Sequence, residues 1–331
     1  MLNLKGKGEQ IMQVLKKVST IIQEAINQHY SDLFIMPKDD YYQLLYRDIK
    51  SYQKAEQISQ ADAEQIMSYM KYKADMSISE KRRPQNGAMA WMDEKNEVVN
   101  LRISTVGDFL DRPSMVIRFI YKISDQHAPL DVESMNIIEI AARLRGLIVF
   151  SGPMGSGKTT LIYEIAKKLS ETKVVMSIED PVEIHEDNFL QLQVNDQSGM
   201  SYQELLKSGL RNRPDIFIIG EIRDQKTAEI AVQAALSGHL VLTTIHAKNV
   251  SGVYNRIVEL GVQKDHLTDA LTATIYQRMV PMINLEGKIL TEIKSYHPDL
   301  VFESKSWREK LNEWYRNKKI TSETFQEFQY G

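Results

Sequence analysis

Between residues 9 and 30 the apolar side chains Ile11, Leu15, Val18, Ile22 and Ala25 recur at three- and four-residue steps, which predicts an amphipathic helix with one buried face. Short runs rich in β-branched and aromatic residues follow at 32–36, 41–46, 97–104 and 115–121, with a helical stretch over 61–76. This mixture predicts a small α+β domain over residues 1–123. The polar segment 124–129 reads as a linker.

Beyond it the pattern changes. Predominantly apolar runs at 147–150, 174–178, 216–219 and 240–245, interrupted only by Ser177, Thr243 and Thr244, alternate with helical segments. Strands that are apolar at nearly every position are buried on both faces, so this alternation predicts a parallel sheet covered by helices, an α/β domain over residues 130–285. Residues 286–331 are expected as a helical tail. Within it Ser306 and Glu309 have the spacing of a capping box, opening a helix with Trp307, Leu311 and Trp314 on one face.

A chain of 331 residues exceeds the usual span of one hydrophobic core, which agrees with two domains. Forty-one basic against 44 acidic residues give a formal charge of −3, so the overall field offers no attraction for phosphate backbones, and no direct nucleic acid binding is expected. No stretch reaches the eighteen or so apolar residues of a membrane span. The absence of cysteine excludes disulfides and thiolate zinc sites and suits a reducing cytoplasm.

The chemistry is concentrated after the apolar run 147–150. Gly152, Pro153, Met154, Gly155, Ser156, Gly157, Lys158 and Thr159 fit G-x-x-x-x-G-K-[ST] at every fixed position, and a helical pattern follows at 161–169. Glycines there let backbone amides converge on phosphate oxygens, and the helix N-terminus adds favourable partial charge. Lys158 is expected on the β and γ phosphates, Thr159 on magnesium, and Thr160 in the first helical turn near the α phosphate. The strand-loop-helix setting thus predicts a P-loop site for ATP with magnesium.

Glu179, Asp180 and Glu183 stand at the end of the next strand, where a parallel sheet has its ligand crevice. They either orient water and the metal's hydration shell or form a solvated acidic turn. The run 215–221 resembles the apolar strand that ends in acid in P-loop proteins, except that Gly220 replaces the usual aspartate and Glu221 follows it. His239 and His246 flank the run 240–245, either as structural strand-end residues or with a γ-phosphate sensor among them. Arg211, Arg213 and Arg223 lie around the acidic strand, either in surface ion pairs, their ordinary role, or with one of them on phosphate.

Together GPMGSGKTT, SIEDPVEIHED, LRNRPDIFIIGEIRD and SGHLVLTTIHA resemble the phosphate loop, Asp box, atypical Walker B region and His box of the GspE/PilB/PilT secretion ATPases, in that family's order. The resemblance implies a RecA-like ATPase domain preceded by a smaller, PAS-like α+β domain. It implies Glu183 as the water-activating acid, Glu221 as a second catalytic carboxylate with Glu179 beside them, and His239 and His246 as the His box. HYSDLFIMPKDD, KRRPQNGAM, NLRIST and MVIRFI resemble N-terminal segments of the family, placing Arg102 and Arg118 where arginines approach the phosphates. Arg211 falls on one of the family's paired arginines, whereas Lys207 stands at the other. Family membership further implies a hexameric ring at the cytoplasmic face of the membrane, acting on an inner-membrane platform protein. STVGDF and IHAKNVSGVYNRIVELGV are most similar to the compact branch that assembles the competence pilus for DNA uptake.

Overall fold

The computed structural model describes residues 2–47, 52–121, 130–195, 198–283, 287–302 and 305–331. Contacts within the chain divide it into two compact units, residues 1–122 and 123–331. The expected linker, 124–129, lies outside the described residues.

The first unit runs α1 (Leu2–Asn27), β1 (Asp32–Pro37), β2 (Tyr42–Arg47), β3 (Tyr52–Ile58), α2 (Gln60–Lys73), β4 (Gln85–Met92), β5 (Val98–Gly107) and β6 (Pro113–Ile120). Its described strands form one antiparallel sheet in the order β3-β2-β1-β6-β5-β4. Alternate residues Leu33, Ile35, Leu101, Ile103, Met115 and Ile117 point to one face, where they join Val18, Ile22 and Ala25 of α1 and Ile66, Met67 and Met70 of α2 in a single core. Two of these strands are absent from the sequence reading. β3 is exposed at every position but Ile58, and β4 carries Gly87, Ala88 and Ala90, so neither has the apolar signature of a strand.

The second unit runs α3 (Val132–Leu144), β7 (Gly146–Ser151), α4 (Lys158–Ser170), β8 (Val175–Glu179), β9 (Phe189–Gln193), α5 (Tyr202–Arg211), β10 (Ile216–Ile219), α6 (Gln225–Leu236), β11 (Leu240–Thr244), α7 (Val250–Glu259), α8 (Lys264–Ala270), β12 (Leu271–Pro281), β13 (Gly287–Ser295), α9 (Trp307–Arg316) and α10 (Ser322–Phe328). The sheet order is β13-β12-β7-β11-β10-β8-β9, parallel throughout except for β13. The predominantly apolar strands divide their side chains between two cores. Ile148, Phe150, Ile216, Ile218 and Leu242 meet α3 and α4 on one face. Leu147, Val149, Phe217, Ile219 and Val241 meet α5, α6, α7 and α8 on the other.

One expectation is corrected here. Residues 286–331 are not wholly a helical tail, because β13 pairs antiparallel with β12 from Pro281↔Gly287 to Ala273↔Ser295 and completes the sheet. Ile289, Leu290 and Ile293 supply its buried positions, so burial rather than helical spacing governs this stretch. Helix begins at Trp307, with the expected capping box of Ser306 and Glu309. The helices then fold back on their own unit. Trp307, Leu311, Ile320 and Phe328 form a small core with Tyr276, Val280 and Leu290, and Trp307 Nε1 donates to the carbonyl of Phe328 at 2.7 Å.

Candidate nucleotide site

β7 is buried at every position after Gly146, and its end feeds directly into the loop 152–157 and then α4. Gly152, Gly155 and Gly157 have φ of 144°, 74° and 82°, a region that L side chains avoid. Space is short as well as angle. A Cβ on Gly152 would overlap the carbonyl of Gln277, and one on Gly157 would lie 3.2 Å from Ile289 Cδ1. The N-cap of α4 is Gly157, with no side-chain cap, whereas Asp131, Ser201, Asp224 and Asn249 cap α3, α5, α6 and α7. The first turn of α4 therefore keeps its backbone donors for another acceptor.

Lys158 Nζ donates to the carbonyls of Gly152 at 3.0 Å and Pro153 at 2.9 Å. Burial pushes its ammonium below the usual lysine range, while the charges of Glu221 and Glu183 act in the opposite direction. Thr159 Oγ1 donates to Glu183 Oε2 at 3.1 Å, so the first turn of α4 and the loop after β8 meet at that hydroxyl. Met154, at the loop tip, is 84% exposed.

Behind Glu183 lies a buried carboxyl. Glu179, 3% exposed, accepts from the hydroxyl of Tyr163, which in turn accepts from Gln191 Nε2 at 2.8 Å. Desolvation is the main cause that pushes Glu179 up to about 7, with the nearby Glu183 charge adding to it. Gly220 lies against it, and a Cβ there would be 3.4 Å from both Cα and Cγ of Glu179. Glu179 thus packs beside the position where P-loop strands commonly carry aspartate, through its Cα and Cγ.

Glu221 is held from two sides. Arg223 Nε donates to its Oε2 at 2.8 Å, and His246 Nε2 lies 3.0 Å from its Oε1. That pair joins the ends of β10 and β11 next to the loop. Gly152, Pro153, His246, Lys248, Tyr276 and Arg278 line an open cleft beside it.

Not every sequence-predicted residue reaches this edge. His239 precedes β11, where its Nδ1 pairs with the carbonyl of Ala234 at 3.0 Å and its ring stands edge-on to Phe217. A five-residue parallel strand, about 17 Å long, separates it from His246, so the two histidines occupy opposite edges of the sheet. Arg211 ends α5 ahead of β10, at the same far edge and exposed. Within this unit neither residue joins the phosphate loop. Arg102 and Arg118 belong to the first unit, as cross-strand partners on the sheet face away from α1 and α2. Arg118 Nε donates to the buried Asp32 at 2.9 Å. Gln277, Tyr163 and Gln191 carry no motif and are absent from the sequence reading.

The family profile described as "Type II/IV secretion system protein" matches residues 7–320. The chain belongs to that family. It is 42% identical over 262 residues to competence protein ComGA of Streptococcus pneumoniae, covering 78% of this chain and 82% of that one. Identity to competence protein ComGA of Bacillus subtilis is 34% over 278 residues, 82% of this chain and 78% of its relative. Among solved structures, the pilus retraction motor PilT with bound ADP superposes with a TM-score of 0.73 at 21% identity, covering 93% of this chain and 96% of that one. This likeness establishes for the secretion-family chain the RecA-like fold with its preceding α+β domain.

Proposed function

We propose that the chain is an ATP-hydrolysing motor that drives pseudopilus assembly in competence for DNA uptake. The observation that carries this reading is the meeting of Thr159 and Glu183 at the mouth of a glycine loop whose helix lacks a side-chain cap. The likeness to the competence proteins of two bacteria supplies the biological setting.

The residues fit ATP with magnesium. Gly152, Gly155 and Gly157 give the loop a backbone that admits phosphate, Lys158 supplies the cation, and the hydroxyl of Thr159 offers a hard oxygen donor to magnesium beside the carboxylate of Glu183. When bound, magnesium neutralises charge on the β and γ phosphates. Phosphate oxygens take the Lys158 ammonium over from the carbonyls of Gly152 and Pro153. Exposed Glu183 orients water and accepts its proton. Glu221, fixed by Arg223 and His246, holds the second carboxylate in place, so a change at the γ position is felt at the end of β11. Glu179, which accepts a backbone hydrogen bond from Glu183, supports the loop that carries Glu183.

In this reading Arg102 and Arg118 are fingers delivered from the first unit, because paired guanidinia on a sheet face offer charge to phosphoryl oxygens. The working form is a hexameric ring on the cytoplasmic face of the cell membrane, acting on the platform protein of the competence pilus. Among the described residues no helix is long and apolar enough to cross a membrane.

The test combines hydrolysis by the purified chain with DNA uptake by cells carrying variants. Lys158→Ala and Glu183→Ala are expected to lose multiple-turnover hydrolysis and transformation while retaining the wild-type circular dichroism spectrum. Transformation at wild-type level by both variants would overturn the motor; transformation without any hydrolysis by the wild type would favour a nucleotide-responsive scaffold.

A further inference from the structure

We infer that Gln277 of β12 is a positioning residue for phosphate binding, acting on the loop from behind through the Ser156–Gly157 peptide. The inference rests on the nucleotide reading of the loop and adds to it a residue outside every motif.

Gln277 is fully buried, and its Nε2 donates to the carbonyl of Ser156 at 2.7 Å across 121 positions of sequence. A trans peptide is planar, with its C=O and N–H on opposite sides. Pinning the Ser156 carbonyl toward β12 therefore aims the Gly157 N–H the other way, off the strand and out on the side where the loop takes phosphate. The same strand sets the loop's entrance, since the Gln277 main-chain carbonyl occupies the space a Cβ on Gly152 would need. Ser151 Oγ also donates to the carbonyl of Ile275 at 3.2 Å, and β7 pairs with β12 as far as Ser151↔Tyr276. From β13, Ile289 closes the wall 3.2 Å from the Cβ position of Gly157.

A buried amide has a cost that apolar packing here would avoid. Gln277 Oε1 and Ser156 Oγ are both buried without a hydrogen-bond partner among the described residues. Packing alone favours leucine or methionine at such a position. What glutamine adds is an N–H donor at the Ser156 carbonyl, and that donor fixes a peptide whose rotation would turn a phosphate ligand away.

The experiment measures Kd for MgATP and MgADP by calorimetry on the full chain, for the wild type, Gln277→Met and Gln277→Glu. Gln277→Met keeps the volume and removes the donor, and is expected to weaken both nucleotides by about tenfold. Gln277→Glu restores a donor only when its carboxyl is protonated, so its deficit relative to wild type at the same pH is expected to shrink at least threefold between pH 8 and pH 6. A purely structural role would lower thermal stability in both variants without that pH-dependent recovery. Wild-type affinity in Gln277→Met, or a Gln277→Glu deficit equal at both pH values, overturns the positioning role. Loss of binding in the wild type itself would instead overturn the nucleotide reading on which it rests.

Discussion

Thr159 and Glu183, 24 positions apart, meet at 3.1 Å through hydroxyl and carboxylate. One belongs to the group that binds phosphate and metal, the other to the group that activates water, and their contact makes one site of two loops. Glu183→Gln preserves the shape and the hydrogen bond but removes the base. It is expected to bind MgATP within about threefold of wild type and to lower kcat by roughly 10²–10⁴-fold. Steady-state hydrolysis beside equilibrium binding separates the two effects; an unchanged kcat would exclude Glu183 as the base.

Gly220 lies within ordinary contact distance of Glu179. Glycine at 220 leaves room for the buried Glu179, whose Cα and Cγ would be 3.4 Å from any Cβ at that position. Gly220→Ala is expected to change stability by less than about 1 kcal/mol, while Gly220→Asp, which forces a second carboxyl beside the first, destabilises by about 2–4 kcal/mol. Urea unfolding of the two variants checks the difference.

These particulars also show what was legible in the sequence. Residues 147–150, 174–176, 216–219 and 240–242 are unbroken apolar stretches at β7, β8, β10 and β11, and the glycine spacing after β7 is fixed by backbone conformation, so strand, loop and helix are legible directly. The far-edge placement of His239 also agrees with the seven-residue spacing to His246. β9 and β12 have no such unbroken stretch: β9 is buried only at Phe189, with Gln191 and Gln193 half-buried or exposed, and the buried Thr272, Thr274 and Gln277 interrupt β12. Their partners come from distant segments, as Ser156 does for Gln277, and no local pattern encodes such pairs. The buried Glu179 was legible as a carboxylate but not as a group enclosed by Tyr163 and Gly220.

Glu179 gives the fold a pH dependence of defined sign. Its folded value of about 7 lies above its ordinary 4.5, so between those values the folded chain holds a proton that the unfolded chain has released. Stability contributed by this group is therefore present below pH 4.5 and is lost as pH rises through 7, by about 3 kcal/mol at most. Glu179→Gln, which still accepts from Tyr163, is expected to flatten this fall. Chemical denaturation of both proteins at pH 5 and pH 8 makes the comparison; parallel pH profiles would show that Glu179 is ionised throughout.

Trp307 ties the last helices to β12, with its ring edge-on to Tyr276 at 5.4 Å and its indole N–H on the carbonyl of Phe328. Trp307→Ala leaves a large cavity and an unpaired carbonyl, and is expected to destabilise the second unit by about 3–5 kcal/mol. Thermal unfolding measures this. A shift of less than 1 °C would mean that the helices contribute no stability to the unit.

The central claim is that the segment from Gly152 to Thr159 grips a triphosphate, and equilibrium binding of MgATP to the wild type and Lys158→Ala tests it most directly. We expect saturable one-to-one binding by the wild type and at least a hundredfold loss in the variant, since the half-buried ammonium is the loop's principal cation. Equal affinity in the two proteins, or no binding by either, would contradict the account.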